Sequence, residues 1–317
     1  MSDPSALGTA GPIAEASHDL ATAAPEGPDT PRSLASDAWH DLRRRPLFLI
    51  SVALIAVLLV LAAFPQLFTS VDPTAGELAR SRQAPSAQAW FGYDLLGRDV
   101  FARTIYGTRV SIIVGVLATT FTLLIGGVFG LLAGFYGGWV DNLVSRFTDV
   151  FFGLPFVLGA IVILSTFRES VGGDAVGITS LVVLTMAVLS WPVTMRIMRS
   201  AAIAARDQDY VRAARALGAS PARVIWRHML PNCLAPVLVY ATISLGSFIG
   251  AEATLSFLGI GLRDPVVSWG VMISEARDYL RVAPFLLLFP AAFLAVTVLA
   301  FVMLGDAVRE AFDPKGR

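Results

Sequence analysis

The sequence predicts an all-α, polytopic membrane protein with six transmembrane helices, and three observations carry that expectation. Apolar residues make up 55% of the 317-residue chain and charged residues only 15%, with a mean hydropathy of +0.68, outside the range of a soluble globule. The apolar residues are gathered into long charge-free runs rather than spread evenly. Backbone amides in lipid must pair within their own segment, and the runs lack the short alternation of barrel strands, so they are expected as helices.

Taken in order, residues 1–36 are rich in Ala, Pro, Ser, Thr and Asp without apolar periodicity and are expected as a disordered cytoplasmic tail. Acids stand where the basic start of a signal peptide would be. Residues 37–108 should hold the first helix and an extracytoplasmic segment. Arg43, Arg44, Arg45 and Pro46 lead into the first run, Leu47–Val71. Residues 109–306 should form a core of five helices, from runs at Val110–Val140, Val150–Phe167, Ala175–Met195, Met229–Leu262 and Val282–Gly305. Each can cross ~30 Å of hydrocarbon, which takes about 20 apolar residues; Val150–Phe167 is the shortest. Residues 307–317 are left as a cytoplasmic C-terminal tail. With both termini inside, Arg and Lys divide 15 inside to 9 outside, and the nine outside face nine acids.

Between the fourth and fifth helices lies the segment from Asp207 to Asn232. Its pattern predicts two short helices. Asp207 or Asp209 would cap the first, with Tyr210, Ala213, Ala214 and Leu217 as an apolar stripe. Gly218 suits the left-handed residue that ends it. Ser220 and Pro221 would open the second, lined by Val224, Ile225 and Met229 and stopped by Leu230-Pro231. Arg212, Arg215, Arg223 and Arg227 remain for water or a partner. The bland alternative is an interfacial loop that obeys the positive-inside rule. Two capped helices exceed what a connector needs, and they point to a docking surface.

This stretch resembles the EAA loop of binding-protein-dependent ABC importer permeases, the motif Glu-Ala-Ala, three residues, Gly, then nine residues before Ile-x-Leu-Pro. Ala213, Ala214, Gly218, Leu230 and Pro231 match at the right spacing, while Arg212 replaces the Glu and His228 the Ile. A second stretch, Phe91-Gly-Tyr-Asp-Leu-Leu-Gly-Arg-Asp followed by Arg103 and Arg109-Val-Ser111, is similar to the C-type permeases of oligopeptide and dipeptide importers. Tyr93 replaces the usual Thr there. Glu252-Ala-Thr-Leu-Ser-Phe-Leu-Gly-Ile-Gly-Leu262 with Ser268-Trp-Gly, and Leu304-Gly-Asp-Ala-Val-Arg-Glu-Ala-Phe-Asp-Pro314, are similar to the same subtype. The resemblance implies a type I importer permease fold with a cytoplasmic coupling helix, in the bacterial inner membrane. It further implies a second permease, two ATPase subunits that hold ATP and magnesium, an extracytoplasmic binding protein and a peptide substrate. Relatives with these motifs also carry nickel, glutathione or other small solutes.

Gly126, Gly130 and Gly134, and likewise Gly246 and Gly250, repeat every four residues, so each set marks a close helix crossing within the chain or with a partner. Glu252 is the one acid inside a long apolar run. It is expected either to line the pathway and bind a peptide amine or to pair with an arginine such as Arg263.

Other function classes lack their residues. The sole lysine is Lys315, in Pro-Lys-Gly, so no phosphate-binding Gly-Lys-Ser/Thr turn exists in the chain. His18, His40 and His228 match no metal spacing, and Cys233 is the only cysteine. A net charge of zero gives no case for nucleic acid. An intramembrane enzyme would need a nucleophile with its base at membrane depth, and an ion-driven transporter several intramembrane acids or paired inverted halves.

Overall fold

The computed structural model describes residues 42–311; the tail expected over 1–36 and residues 312–317 lie outside them. The described chain folds as helices α1 (Pro46–Ala63), α2 (Val100–Tyr136), α3 (Gly138–Phe152), α4 (Phe156–Phe167), α5 (Ala175–Arg206), α6 (Asp209–Ala216), α7 (Pro221–Phe257), α8 (Trp269–Ala276) and α9 (Phe285–Ala311). Five of these, α1, α2, α5, α7 and α9, are long and apolar enough to cross a membrane. The sixth expected span is a bent pair, α3 and α4, which meet at 89° across Gly153–Pro155. Among the described residues there is no strand, only isolated bridges between Gly76 and Arg98 and between Tyr93 and Asp99.

Several boundaries move from the charge-free runs, for one physical reason: arginines that looked like water markers are paired inside the chain. The first helix stops at Ala63 rather than Val71, because Pro65 follows and Arg109 donates to the free carbonyls of Ala62 (2.7 Å) and Ala63 (3.0 Å). Conversely, α2 begins ten residues before Val110, at the Asp99 cap, whose carboxylate accepts the Ala102 N–H at 2.8 Å. α5 runs past Met195 to Arg206, since Arg196 pairs with Asp149 (2.9 Å) and Arg199 with Asp141. Those acids belong to α3, an amphipathic helix that fills the gap the charge-free runs leave at 141–149. The expected C-terminal tail also starts late, because α9 continues to Ala311.

α2 and α5 form the centre of the bundle. A Cβ on Gly126 would sit 2.6 Å from the Trp191 carbonyl oxygen; one on Gly130 would meet the Met195 carbonyl and Met198, and one on Gly134 would sit 2.9 Å from the Arg199 carbonyl. The three-glycine face is therefore a crossing within the chain. Gly246 and Gly250 face α9, where Gly246 is close to the Val298 carbonyl (3.0 Å) and Gly250 touches only Val298 Cγ2 at 3.9 Å. α7 packs across α2 and α5, while α1 lies against α9 and α2 with Arg45 ion-paired to Glu310.

Candidate functional site

Three constellations stand out, one at each end of the bundle and one within it. At the end where α5 finishes, α6 and the start of α7 make a helical hairpin. Gln208, not Asp207 or Asp209, is the N-cap residue of α6, without a side-chain cap bond. Asp209 sits in the first turn, where an acid favours the helix dipole. Gly218, at φ +80°, closes α6 in a Schellman arrangement, with Ala219 N–H bonded to Ala214 O and Gly218 N–H to Arg215 O, both 3.0 Å. Ser220 then accepts the Arg223 N–H, and Pro221 opens the next helix.

The apolar stripe is divided. Ala214 turns inward with Val211, which the sequence reading did not single out, onto a cluster that includes Met198, Ala202, Val224, Ile225, Met229 and Cys233. Tyr210, Ala213 and Leu217 face out, Leu217 at 88% exposure, beside exposed Arg212, Arg215 and Trp226. Arg215 lies over the Phe135 ring at 5.2 Å, which ties the hairpin to α2. Leu230 is partly covered and Pro231 is exposed, but they do not stop the helix. The chain passes through a π-turn at Val224–Met229 and continues to Phe257. The turn absorbs the proline: Leu230 N–H reaches back to Ile225 O, and Pro231 has no N–H to offer.

Within the opposite half of the bundle, Glu252 is fully buried. The arginine partner expected for it is absent: Arg263 is exposed, and hydroxyls take its place. Glu252 Oε1 accepts from Ser256 Oγ (2.7 Å) and Ser268 Oγ (3.0 Å), and Oε2 has no partner among the described residues. Each serine works twice, since Ser256 Oγ accepts the Leu262 N–H and Ser268 Oγ the Val271 N–H that starts α8. Trp269 follows, fully buried, donating from Nε1 to Thr104 O on α2 at 3.0 Å. The arrangement clasps α8 and the 258–262 turn to α7 and α2.

Beside it, the 91–103 motif builds an ion network. Asp94 takes Arg98 (2.7 Å) and Arg103 (2.5 Å), and both arginines reach Glu275 of α8 at 3.1 and 3.0 Å. Glu275 was outside the sequence motifs, and only its place on α8 reveals it. A buried network of this kind fixes geometry more surely than it adds stability.

The chain as a whole is similar to known proteins. The profile of the family described as "Binding-protein-dependent transport system inner membrane component" matches residues 126–317, and that of the "N-terminal TM domain of oligopeptide transport permease C" matches 33–85. The dipeptide transport system permease protein DppC of Alkalihalophilus pseudofirmus is 37% identical, over 92% of this chain and 93% of that protein. The oligopeptide transport system permease protein OppC of Bacillus subtilis is 34% identical over 90% and 91%. The glutathione transport system permease protein GsiD of Pectobacterium atrosepticum is 33% identical over 87% and 90%. Among solved structures, the MetNI methionine ABC transporter in an inward-facing conformation superposes with a TM-score of 0.54 at 21% identity, over 66% of this chain and 96% of that one.

Proposed function

Because the chain belongs to the family of binding-protein-dependent transport system inner membrane components, we propose that it is one permease subunit of an ATP-driven importer of short peptides. In this reading the chain hydrolyses nothing. ATP and magnesium are held by two separate ATPase subunits, a second permease supplies the other half of the route, and an extracytoplasmic binding protein delivers the solute. The hairpin end of the bundle and both termini face the cytoplasm, and the α8 end faces out.

The observation that carries the reading is the outward side of the hairpin. Tyr210, Ala213 and Leu217 stay exposed while Val211 and Ala214 anchor α6 to the bundle, which leaves an apolar ridge with arginines beside it and small residues that permit close approach. A groove on an ATPase is the partner it suits. Glutathione is the second reading for the solute, favoured by a relative of that name at nearly the identity of the oligopeptide one.

The test is reconstitution of the chain with a second permease, ATPase subunits and a binding protein from the same organism. Uptake of labelled dialanine, or of glutathione on the second reading, should depend on ATP, and Leu217→Asp should release the ATPases while the permease pair stays intact. ATPases that remain bound to Leu217→Asp with undiminished coupling would take the hairpin out of the docking role.

A further inference from the structure

Where α3 meets α4, a cleft of about 390 Å³ opens between the Gly153–Pro155 break, α5 and α7, a size typical of small-molecule sites. It lies at the middle of the bundle: Ser190 of α5 is about 22 Å along the helix axis from Ala175 at 1.5 Å per residue, close to midway to Arg206. Two independent features set this place apart. The first is the backbone. Pro155 is the N-cap residue of α4 and offers no side-chain acceptor or N–H, so the first-turn amides of α4 have no side-chain cap. Irregular backbone at membrane depth persists only where it is buried in protein or faces water. Phe151, Phe152, Leu154 and Phe156, on both sides of the break, line the open cleft.

The second feature is a row of hydroxyls on the facing helix. Tyr240, Ser244 and Ser247 recur at i, i+4 and i+7, one face of α7, with Ser190 across from them on α5. Ser244 Oγ donates to the Tyr240 carbonyl at 2.8 Å and Ser247 Oγ to the Ile243 carbonyl at 3.4 Å. Their donors are thus spent within the helix, and their lone pairs point to the cleft as acceptors. Tyr240 is the lone ionisable residue of the lining. By contrast, the larger cleft along α2 and α5, lined by residues such as Val110, Phe121, Val183 and Val266, is almost wholly apolar and suits lipid or another helix.

We infer that the Tyr240–Ser244–Ser247 cleft is this chain's share of the solute route at mid-membrane, taking the N–H donors of a peptide on hydroxyl acceptors and its side chains on the phenylalanines. The inference rests on the proposed transport function. No charged residue lines the cleft itself; the charge beside it is Arg196, whose guanidinium lies over the Phe152 ring at 3.7 Å and is paired with Asp149.

The experiment uses the complete importer in lipid nanodiscs. Cys233, the only cysteine, is replaced by alanine, and single cysteines are placed at Ser247 and, as control, at Leu238, nine residues away and about 180° around α7. An impermeant anionic thiosulfonate is added, and modification is read on this chain's own peptides by mass spectrometry. Only the thiolate reacts, and a thiol in lipid has a raised pKa, so Ser247→Cys should react at least about tenfold faster than Leu238→Cys, one pKa unit being tenfold in thiolate. The solute that the wild-type complex takes up in vesicles, dialanine or glutathione, should slow that reaction. Tyr240→Phe should raise the KM for uptake, and Ser247→Phe should block uptake where Ser247→Ala does not. Equal rates at the two cysteines, or a fast reaction in the isolated chain that vanishes in the complex, would show lipid or a partner helix in the cleft and overturn the inference. So would a fast reaction that the transported solute leaves unchanged. Wild-type uptake combined with an unreactive Ser247→Cys sinks the cleft alone, whereas absent uptake sinks the transport reading itself.

Discussion

Gly218 closes α6 at φ +80°, and a Cβ there would meet nothing within 4 Å. Space does not demand glycine; the backbone does. A left-handed conformation costs an L-residue about 1–2 kcal/mol, more for a β-branched one and less for asparagine. Gly218→Val should therefore abolish uptake and uncouple ATP hydrolysis from the loaded binding protein, with near-normal abundance, while Gly218→Asn retains most of both. Wild-type uptake by Gly218→Val in reconstituted vesicles would reduce the hairpin to a connector. Glu252 gives a second contrast. Glutamine keeps an oxygen for Ser256 and Ser268, whereas leucine strands two buried hydroxyls at about 1–3 kcal/mol each. The detergent-solubilised chain should melt lower as Glu252→Leu and close to wild type as Glu252→Gln. A glutamine variant that drops as far as leucine would mean the site needs the carboxylate itself.

Between elements, the α2–α5 crossing is set by the three glycines. Leucine at Gly130 would run into the Met195 carbonyl and Met198, and forced bulk in a packed interface costs about 1–3 kcal/mol or more. Gly130→Leu should lower the thermal stability of the chain on its own, without its partners, well beyond Leu124→Ala on the exposed side of α2. Equal melting of the two variants would remove the crossing from the structural account. The glycine spacing, the Gly218 turn and the Ser220-Pro221 start were all legible in the sequence, because each follows from local stereochemistry. The ends of α1, α2 and α5 were not. They depend on Arg109, Arg103, Arg196 and Arg199 finding partners far along the chain. The inward face of α6 was misread for a related reason, since Val211 and Tyr210 are both apolar enough to face the bundle and only packing decides between them. α3 was hidden because its acids looked like loop charges until α5 supplied their arginines.

For the molecule as a whole, the proposed orientation, which the arginine bias supports, sets the hairpin in the cytoplasm and the 64–99 segment and α8 outside. Single cysteines in a Cys233→Ala background test this at exposed sites. Trp90→Cys (66% exposed) and Val282→Cys (73%) should react with an impermeant maleimide added to intact cells, and Leu217→Cys (88%) only after the membrane is opened. Leu217→Cys labelled from outside would invert the molecule and, with it, the docking role.

The π-turn at Val224–Met229 has a consequence that reaches the far side of the membrane. Because the chain does not break at Leu230-Pro231, the second helix of the proposed docking hairpin and the Glu252 clasp are carried by one rod of 37 residues, about 55 Å at 1.5 Å per residue. A tilt of about 0.1 radian at the docking end carries the clasp, and α8 with it, about 5 Å, with no relay of side chains between them. The two ends are also locked in phase. One residue added between Pro231 and Gly246 would turn everything beyond it by about 100°, swinging Gly246 off α9 and Glu252 away from Ser268 while each motif stayed intact. In this helix the count of residues between motifs is as much a part of the machine as the motifs.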